Sequence, residues 1–400
     1  MESLSRSQAT ADRRSLLHWY RRRSRALPWR TFSSPYTVWL SEVMLQQTQI
    51  ETVIPYYQRF VREFPTVEHL AKAPLERVLE LWSGLGYYRR ARNLHQAAQD
   101  LVEKHGGRFP SEMALARTLP GVGDYTARAV LSIAYNQPFA VLDGNVARVM
   151  ARLLTLHGSL PQPEFRRRIE KALDLLLPRR SPGSFNQAMM ELGQTICLPR
   201  SPQCPRCPLH HRCRGFKSGR PESFPDPKPR RKTEEWHMAV AVLHKSQRVM
   251  LLRGLHDGLL DDLWNFPSAL GRSGSEALGL LKAKLSRLLG TAPSLKGPAC
   301  ELRHNITYRS IQVYVYKGPF AGRDPQNGSR WIQPCLVERA AVSQLARKIA
   351  RTCQRHCEEQ ALQQGDTDIT VMCYLNQSLP ETSSSAFSKP QRILLKWATE

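Results

Sequence analysis

The chain has 400 residues, too many for one compact core, so two domains joined by a linker are expected. Lys and Arg number 58 against 34 Asp and Glu, a formal net charge of +24 that is well beyond what solubility needs and points to a polyanionic partner. No run of 18 apolar residues occurs and residues 1–15 lack the apolar centre of a signal peptide, so neither a membrane span nor export is expected.

From Ala11 to about Arg180 the chain reads as successive amphipathic helices, broken at Ser33-Ser34-Pro35, Phe64-Pro65, Gly84-Leu85-Gly86, Gly106-Gly107 and Pro120-Gly121. In residues 38–49, helical spacing sets Glu42 between Val38 and Leu45 on an apolar face. A carboxyl embedded there has a raised pKa and stays protonated near neutrality, which makes Glu42 a candidate general acid; on an exposed helix it would be an ordinary surface glutamate. Residues 119–127 read L-P-G-V-G-D-Y-T-A, and the glycines Gly121 and Gly123 around Val122 directly precede a helical run. Such a turn can aim backbone N–H groups and a helix N-terminus at one phosphate, though a bare G-x-G is also an ordinary helix connection. Asp143 opens the next helical run, where free N–H groups favour the anion. That position suits a plain N-cap and a functional carboxylate alike.

Cys197, Cys204, Cys207 and Cys213 follow the spacing C-x6-C-x2-C-x5-C. Four thiolates so close can enclose one metal centre; C-x2-C alone also occurs in zinc knuckles. Arg200, Arg206, Arg212, Arg214 and Lys217 interleave with the ligands, so this loop is expected to face phosphate. Residues 219–236, rich in Pro and charge, read as the linker, with a domain on either side at 1–218 and 237–351. Beyond it, residues 238–243, 249–252 and 311–316 read as strands and 276–289 as a helix, an α+β half; residues 352–400 carry no sustained pattern and are left unassigned and flexible.

The hairpin resembles that of the endonuclease III superfamily of helix-hairpin-helix glycosylases. Together with residues 38–49, 82–94, 141–149 and 185–193, it closely resembles the MutY adenine glycosylases over residues 11 to about 215. The fold implied is mainly α, a helix-hairpin-helix glycosylase domain with an iron–sulfur loop, followed by an α+β, Nudix-like domain. The cysteine spacing then implies a [4Fe-4S] cluster. The partner implied is double-stranded DNA carrying adenine opposite 8-oxoguanine or guanine, bound by a monomer that is cytoplasmic, of bacterial type and nucleoid-associated.

The resemblance also implies roles. Glu42 protonates a flipped adenine at N7, Asp143 stabilises or captures the sugar cation, and Tyr125 and Asn145 hold the catalytic groups and water. Tyr125 stands where relatives that also nick DNA carry a lysine, so base release without strand cleavage is expected. Arg25, Leu27, Trp29, Arg30, Leu45, Gln187 and Glu191 match the adenine pocket. Gln47 and Tyr87 match positions that wedge into the duplex, and Gly121, Val122 and Gly123 the phosphate hairpin. In the second half, Leu263-Trp264-Asn265-Phe266-Pro267 resembles a Nudix strand, but the helix after it has one glutamate, Glu276, so binding without hydrolysis is expected. The family's Phe-Ser-His lesion-reading loop corresponds to Ile306-Thr307-Tyr308: Thr307 keeps the hydroxyl and Tyr308 lacks the imidazole. The competing readings are a thymine or oxidised-pyrimidine glycosylase on this scaffold, and a non-catalytic damage-binding module.

The cysteine spacing generates a direct expectation. The purified protein should be yellow-brown, absorb near ~400 nm and contain inorganic sulfide, as thiolate-ligated iron does. A colourless, zinc-replete and active preparation contradicts this.

Overall fold

The computed structural model describes residues 5–31, 33–227, 232–253, 263–291, 293–306, 308–325 and 328–352. Thr307 and the segment 353–400, with Cys353, Cys357 and Cys373, lie outside the described residues.

Helices follow one another through the first half: α1 (Arg6–Arg23), α2 (Pro28–Thr31), α3 (Pro35–Leu45), α4 (Ile50–Glu63), α5 (Val67–Lys72), α6 (Leu75–Trp82) and α7 (Arg89–His105). After them come α8 (Met113–Ala116), α9 (Asp124–Ile133), α10 (Gly144–Leu154), α11 (Pro163–Leu176), α12 (Pro182–Thr195) and α13 (Arg214–Lys217). They sort into two cores. Residues from Leu27 to Val130 pack around Trp39, Phe60 and Trp82, with Phe60 set edge-on against Trp82 at 6.0 Å. The second core joins α1 to α10, α11 and α12 through Leu16, Met150, Ile169 and Phe185. Burying each of these large side chains contributes roughly 1.5–3 kcal/mol, so each lobe is held by many independent increments. Because α9 packs on α3 of one lobe and α12 of the other, a cleft forms where the lobes meet.

Asn186 locks the entry to the second lobe. Its amide donates to Ser132 Oγ and to the Phe139 carbonyl, both at 2.8 Å, while its oxygen accepts from Val141 N at 3.1 Å. A buried amide satisfied on both ends fixes the segment that leads into Asp143.

The second half is a mixed sheet of β1 (Glu234–Lys245), β2 (Arg248–Leu252), β3 (Ser268–Gly271), β4 (Lys296–Ile306), β5 (Arg309–Pro319) and β6 (Ser329–Ile332). The order is β4-β5-β1-β2-β6, with β3 also on β1; β1 and β5 run parallel and the other pairs antiparallel. Strand β1 is buried on both faces. Met238, Val240 and Val242 pack with Leu345, Ala346 and Ile349, while Ala239, Ala241 and Leu243 pack under α14 (Gly274–Leu289) through Leu281 and Leu285. This explains why residues 238–243 read as an unbroken apolar run rather than an alternating one. The half is α+β, as expected.

Two sets of contacts join residues 224–226 and the second half to the helices. Phe224 packs against the second helical core, and Asp226 accepts from Gly158 N at 2.8 Å and bonds His157 at 2.7 Å, so the linker's first residues adhere to the helices. In addition, Leu263 and Ala341 of the second half are buried in the first helical core. Polar contacts join them there: Ser83 Oγ donates to the Val342 carbonyl at 2.7 Å, and Glu76 accepts from Trp264 Nε1 at 3.3 Å and Arg330 Nη1 at 2.7 Å. With apolar surface shared this way, wild-type protein should unfold in one calorimetric transition. Leu263→Asp, which buries a charge at the seam, should split it into two; a single unchanged transition would show that the seam carries no coupling.

Candidate active site

Helix α3 begins with Ser34, whose side chain accepts from Thr37 N while Thr37 answers the Ser34 N–H, and Pro35 takes the first turn. Every residue from Thr37 to Met44 is then buried, so the helix is enclosed on all sides rather than along one stripe. Glu42 sits in that enclosure, 7% exposed. Burial is the main cause that pushes its carboxyl up to about 7; the nearby charge of Asp143 adds to it, while a hydrogen bond from Tyr125 and the charge of Arg30 oppose it.

The hairpin positions Tyr125. Gly121 adopts φ +76°, a left-handed turn in which a Cβ would lie 2.7 Å from Asn93 Cβ, and Gly123 caps α9. Tyr125, the second residue of α9, therefore reaches across to α3, where its hydroxyl donates to Glu42 Oε2 at 3.0 Å and lies 3.4 Å from Met190 Sδ. Its own pKa is raised far above the ordinary phenol range by burial and then by the charges of Glu42 and Asp143, so it acts as a donor, not an anion.

Asp143 caps α10 from the other side of the cleft. Its Oδ1 accepts from Val146 N at 2.7 Å and its Oδ2 from Asn145 Nδ2 at 2.8 Å, which holds the carboxylate in one orientation. Arg148 supports this pair, donating to Asn145 Oδ1 at 3.0 Å and to the carbonyls of Gly193 and Cys197 at 2.7 and 2.8 Å. Below them Glu191 is buried and tied to Arg25 Nε at 2.8 Å and Arg30 Nη2 at 2.9 Å, while Gln187 accepts from Arg30 Nε and Tyr20. Burial would raise the Glu191 carboxyl, but the two guanidiniums outweigh it and hold it below the usual range.

A cleft of about 670 Å³ brings together Arg25, Leu27, Trp29, Arg30, Glu42, Leu45, Gln47, Tyr125, Asp143, Asn145 and Gln187, with Glu191 beneath. That volume suits a flat heterocycle with its sugar. The other expected residues lie elsewhere. Tyr87 is 49% exposed on the turn before α7, Gly121, Val122 and Gly123 form the hairpin behind Tyr125, and Tyr308 begins the turn into β5.

The four clustered cysteines carry free, half-buried thiols. Burial pushes Cys207 up to about 12, and Cys197, Cys213 and Cys204 each add to it, so the thiols lie within one another's field. Arg152 points Nη1 at Cys197 Sγ from 3.3 Å and accepts Cys213 through its carbonyl at 3.4 Å. A set of four sulfur donors that repel as thiolates, beside a buried arginine, fits a cationic iron–sulfur centre that would hold them deprotonated. Among the described residues, no group of three or more His, Cys, Asp or Glu has the arrangement for a single metal ion. One expected phosphate-facing residue is placed otherwise: Arg212 is bound to the buried Asp12 of α1, so it anchors the loop inward. Among the residues missed in the sequence are Arg148, Arg152 and Asn186; the signal for the two arginines was their spacing of four on one face of the helix that follows Asp143.

A family profile described as "HhH-GPD superfamily base excision DNA repair protein" matches residues 40–174, which span α3 to α11. An adenine DNA glycosylase of Rattus norvegicus is 35% identical over 88% of this chain and 79% of its own length. The chain belongs to the adenine DNA glycosylases of base excision repair. A relative from Buchnera aphidicola is 36% identical over 63% of the chain and 72% of its own. A trapped endonuclease III–DNA covalent intermediate is 26% identical, with a TM-score of 0.47, over 54% of this chain and 99% of that one. No helix among the described residues is long and apolar enough to cross a membrane.

Glu42 generates a paired expectation. Its raised pKa favours folding with the proton on: that stability is complete below the ordinary 4.5 and lost, by about 3 kcal/mol, as pH rises through about 7. Between pH 5 and 8 the Tm of Glu42→Gln should therefore fall less than that of wild type. On the expectation that Glu42 is the general acid, the same change should cut single-turnover base release by ~1,000-fold or more while duplex binding persists. Wild-type excision should fall above pH 7; near-normal excision by the glutamine variant contradicts the assignment.

Proposed function

We propose that this chain hydrolyses the N-glycosidic bond of adenine mispaired with 8-oxoguanine or guanine and leaves the DNA backbone uncut. The observation that carries the reading is the Glu42–Tyr125 contact in a cleft whose far wall presents Asp143: one carboxyl kept protonated near neutrality, one held as an oriented carboxylate. An adenine extruded into the cleft meets Leu27, Trp29 and Leu45 with its faces and Arg30 and Gln187 with its edge. Glu42 gives its proton to N7 as the glycosidic electrons pass to the base, and Asp143 faces the resulting sugar cation. Water, oriented by Asn145 and Tyr125, adds to the anomeric carbon and its proton returns to the Glu42 carboxylate. Tyr125 offers no amine to the sugar, so no imine forms and elimination has no electron sink. The net positive charge of the chain suits a duplex partner. Cys197, Cys204, Cys207 and Cys213 would hold a [4Fe-4S] cluster, whose role would be structural rather than chemical; Arg148 and Arg152 of α10 bond the loop at Cys197.

The domain division at 218 and 237 and the Nudix-like reading of the second half belong to the same proposal. Glu276, the one glutamate of α14, accepts from Arg272 N and so closes the helix cap instead of offering itself to a metal. Lesion reading is assigned to Thr307 and to Tyr308, the residue before β5. Since Leu263 and Ala341 are built into the helical core, a point substitution tests this more cleanly than removing the half.

Single-turnover assays should show excision of adenine opposite 8-oxoguanine and opposite guanine, and none of thymine opposite guanine. Borohydride should trap little enzyme–DNA adduct, and strands should break only after alkali or heat; cleavage coincident with base release contradicts the monofunctional reading. Tyr308→Ala should reduce the preference for 8-oxoguanine over guanine by ~3-fold or more without lowering the maximal rate, since it removes recognition and no reacting group. Unchanged preference would place lesion reading elsewhere.

A further inference from the structure

Arg90 stands in the first turn of α7 and is almost completely buried, yet it reaches far from its own helix. Its Nη1 points at the carbonyls of Val43, Met44 and Gln46 at 2.9, 2.7 and 2.6 Å. These are the free carbonyls at the end of α3, the helix that carries Glu42, where a cation is favoured by both hydrogen bonding and the helix dipole. Its Nη2 donates to Thr48 Oγ1 at 3.1 Å and Gly86 O at 3.2 Å, and the guanidinium lies 5.3 Å from the ring centres of both Trp82 and Tyr87. One planar group thus bonds residues on each side of Gln47 and the residue just before Tyr87.

Those two residues share a backbone property. Gln47 has φ 57° and Tyr87 φ 50°, left-handed conformations that side-chain-bearing residues adopt only when their surroundings impose them. Burial pulls the Arg90 pKa down to about 10, which still leaves a cation at neutral pH. A buried guanidinium bonded to carbonyls is an expensive way to fill space, and a hydrophobic side chain would pack there at lower cost.

We propose that Arg90 is a positioning residue for base extrusion, locking the Gln47 turn, the Tyr87 turn and the end of the Glu42 helix into one rigid wedge. The inference rests on the reading that Gln47 and Tyr87 press into the duplex beside the extruded base. A lysine retains the charge but, with a point ammonium, cannot span both turns at once.

The test compares two substrates: a fully paired duplex with adenine opposite 8-oxoguanine, and one with adenine opposite an abasic site, where extrusion is already easy. Arg90→Lys should slow single-turnover excision from the first by ~10-fold or more and from the second by ~2-fold at most, with the pH profile of excision unmoved. Fluorescence of 2-aminopurine at the target position should show the matching loss of extrusion. Thr48→Val, which deletes one partner of the clamp together with the Thr48 Oγ1 bond to the Gln46 carbonyl at 3.3 Å, should give the same pattern at smaller size, and it carries the test if the lysine variant does not fold. Equal slowing on both substrates, or no slowing on either, overturns the proposal. Tyr87→Ala separates the two levels: if it also slows both substrates alike, the wedge reading falls and the clamp with it. If it shows the paired-duplex defect and the Arg90 and Thr48 variants do not, the clamp alone fails.

Discussion

The site depends on keeping one carboxyl dry. Glu42 lies on a helix buried all round, and its proton is held by the low polarity of that surrounding, with Tyr125 as its hydrogen-bond partner. A glutamate in water would be ionised and useless as an acid at neutral pH. The same enclosure works against stability once the carboxyl ionises, so α3 needs strong support. It has it in the Ser34 capping box at one end and in Arg90 on the carbonyls at the other. The neighbouring Tyr88 hydroxyl and Ser83 then tie the Tyr87 turn to the Val342 carbonyl of the second half.

The second carboxylate has the opposite environment, and the fold separates the two by putting them on different lobes. Asp143 receives two hydrogen bonds at a helix start, which hold its carboxyl group in one orientation. Arg148 and Arg152, one helical turn apart, run from this cap to the cysteine loop, so the order of that loop and the orientation of Asn145 are mechanically joined. Asn186 fixes the approach to the cap from the other direction. The cleft is thus a seam between two separately packed cores, and its walls are positioned by buried polar side chains rather than by the loops alone.

Much of this was legible in residue order. The helical first half, the α+β second half and the adenine glycosylase resemblance follow from local patterns: caps, glycine turns, cysteine spacing and apolar runs. The approach of Tyr125 to Glu42, 83 residues away, leaves no periodic trace in either segment, and only the family resemblance brought the two together. Arg90, Arg148 and Asn186 were hidden for a related reason: a buried polar residue looks like any surface residue until its partners are known. Arg212 shows the converse, since a basic residue in a basic loop read as phosphate-facing and is bound to Asp12 inside. Composition marked residues 219–236 as Pro- and charge-rich but could not show that Phe224 and Asp226 have specific partners on the helical half, or that the two halves share apolar surface through Leu263 and Ala341.

The central claim is that burial raises the Glu42 carboxyl so far that it keeps its proton just below neutral pH and titrates near 7. Isotope-edited infrared spectroscopy of glutamate-labelled protein, differenced against Glu42→Gln, observes that carboxyl directly. The account predicts a protonated C=O stretch at pH 6 that disappears with a midpoint near 7. A carboxylate already ionised at pH 5 would contradict it.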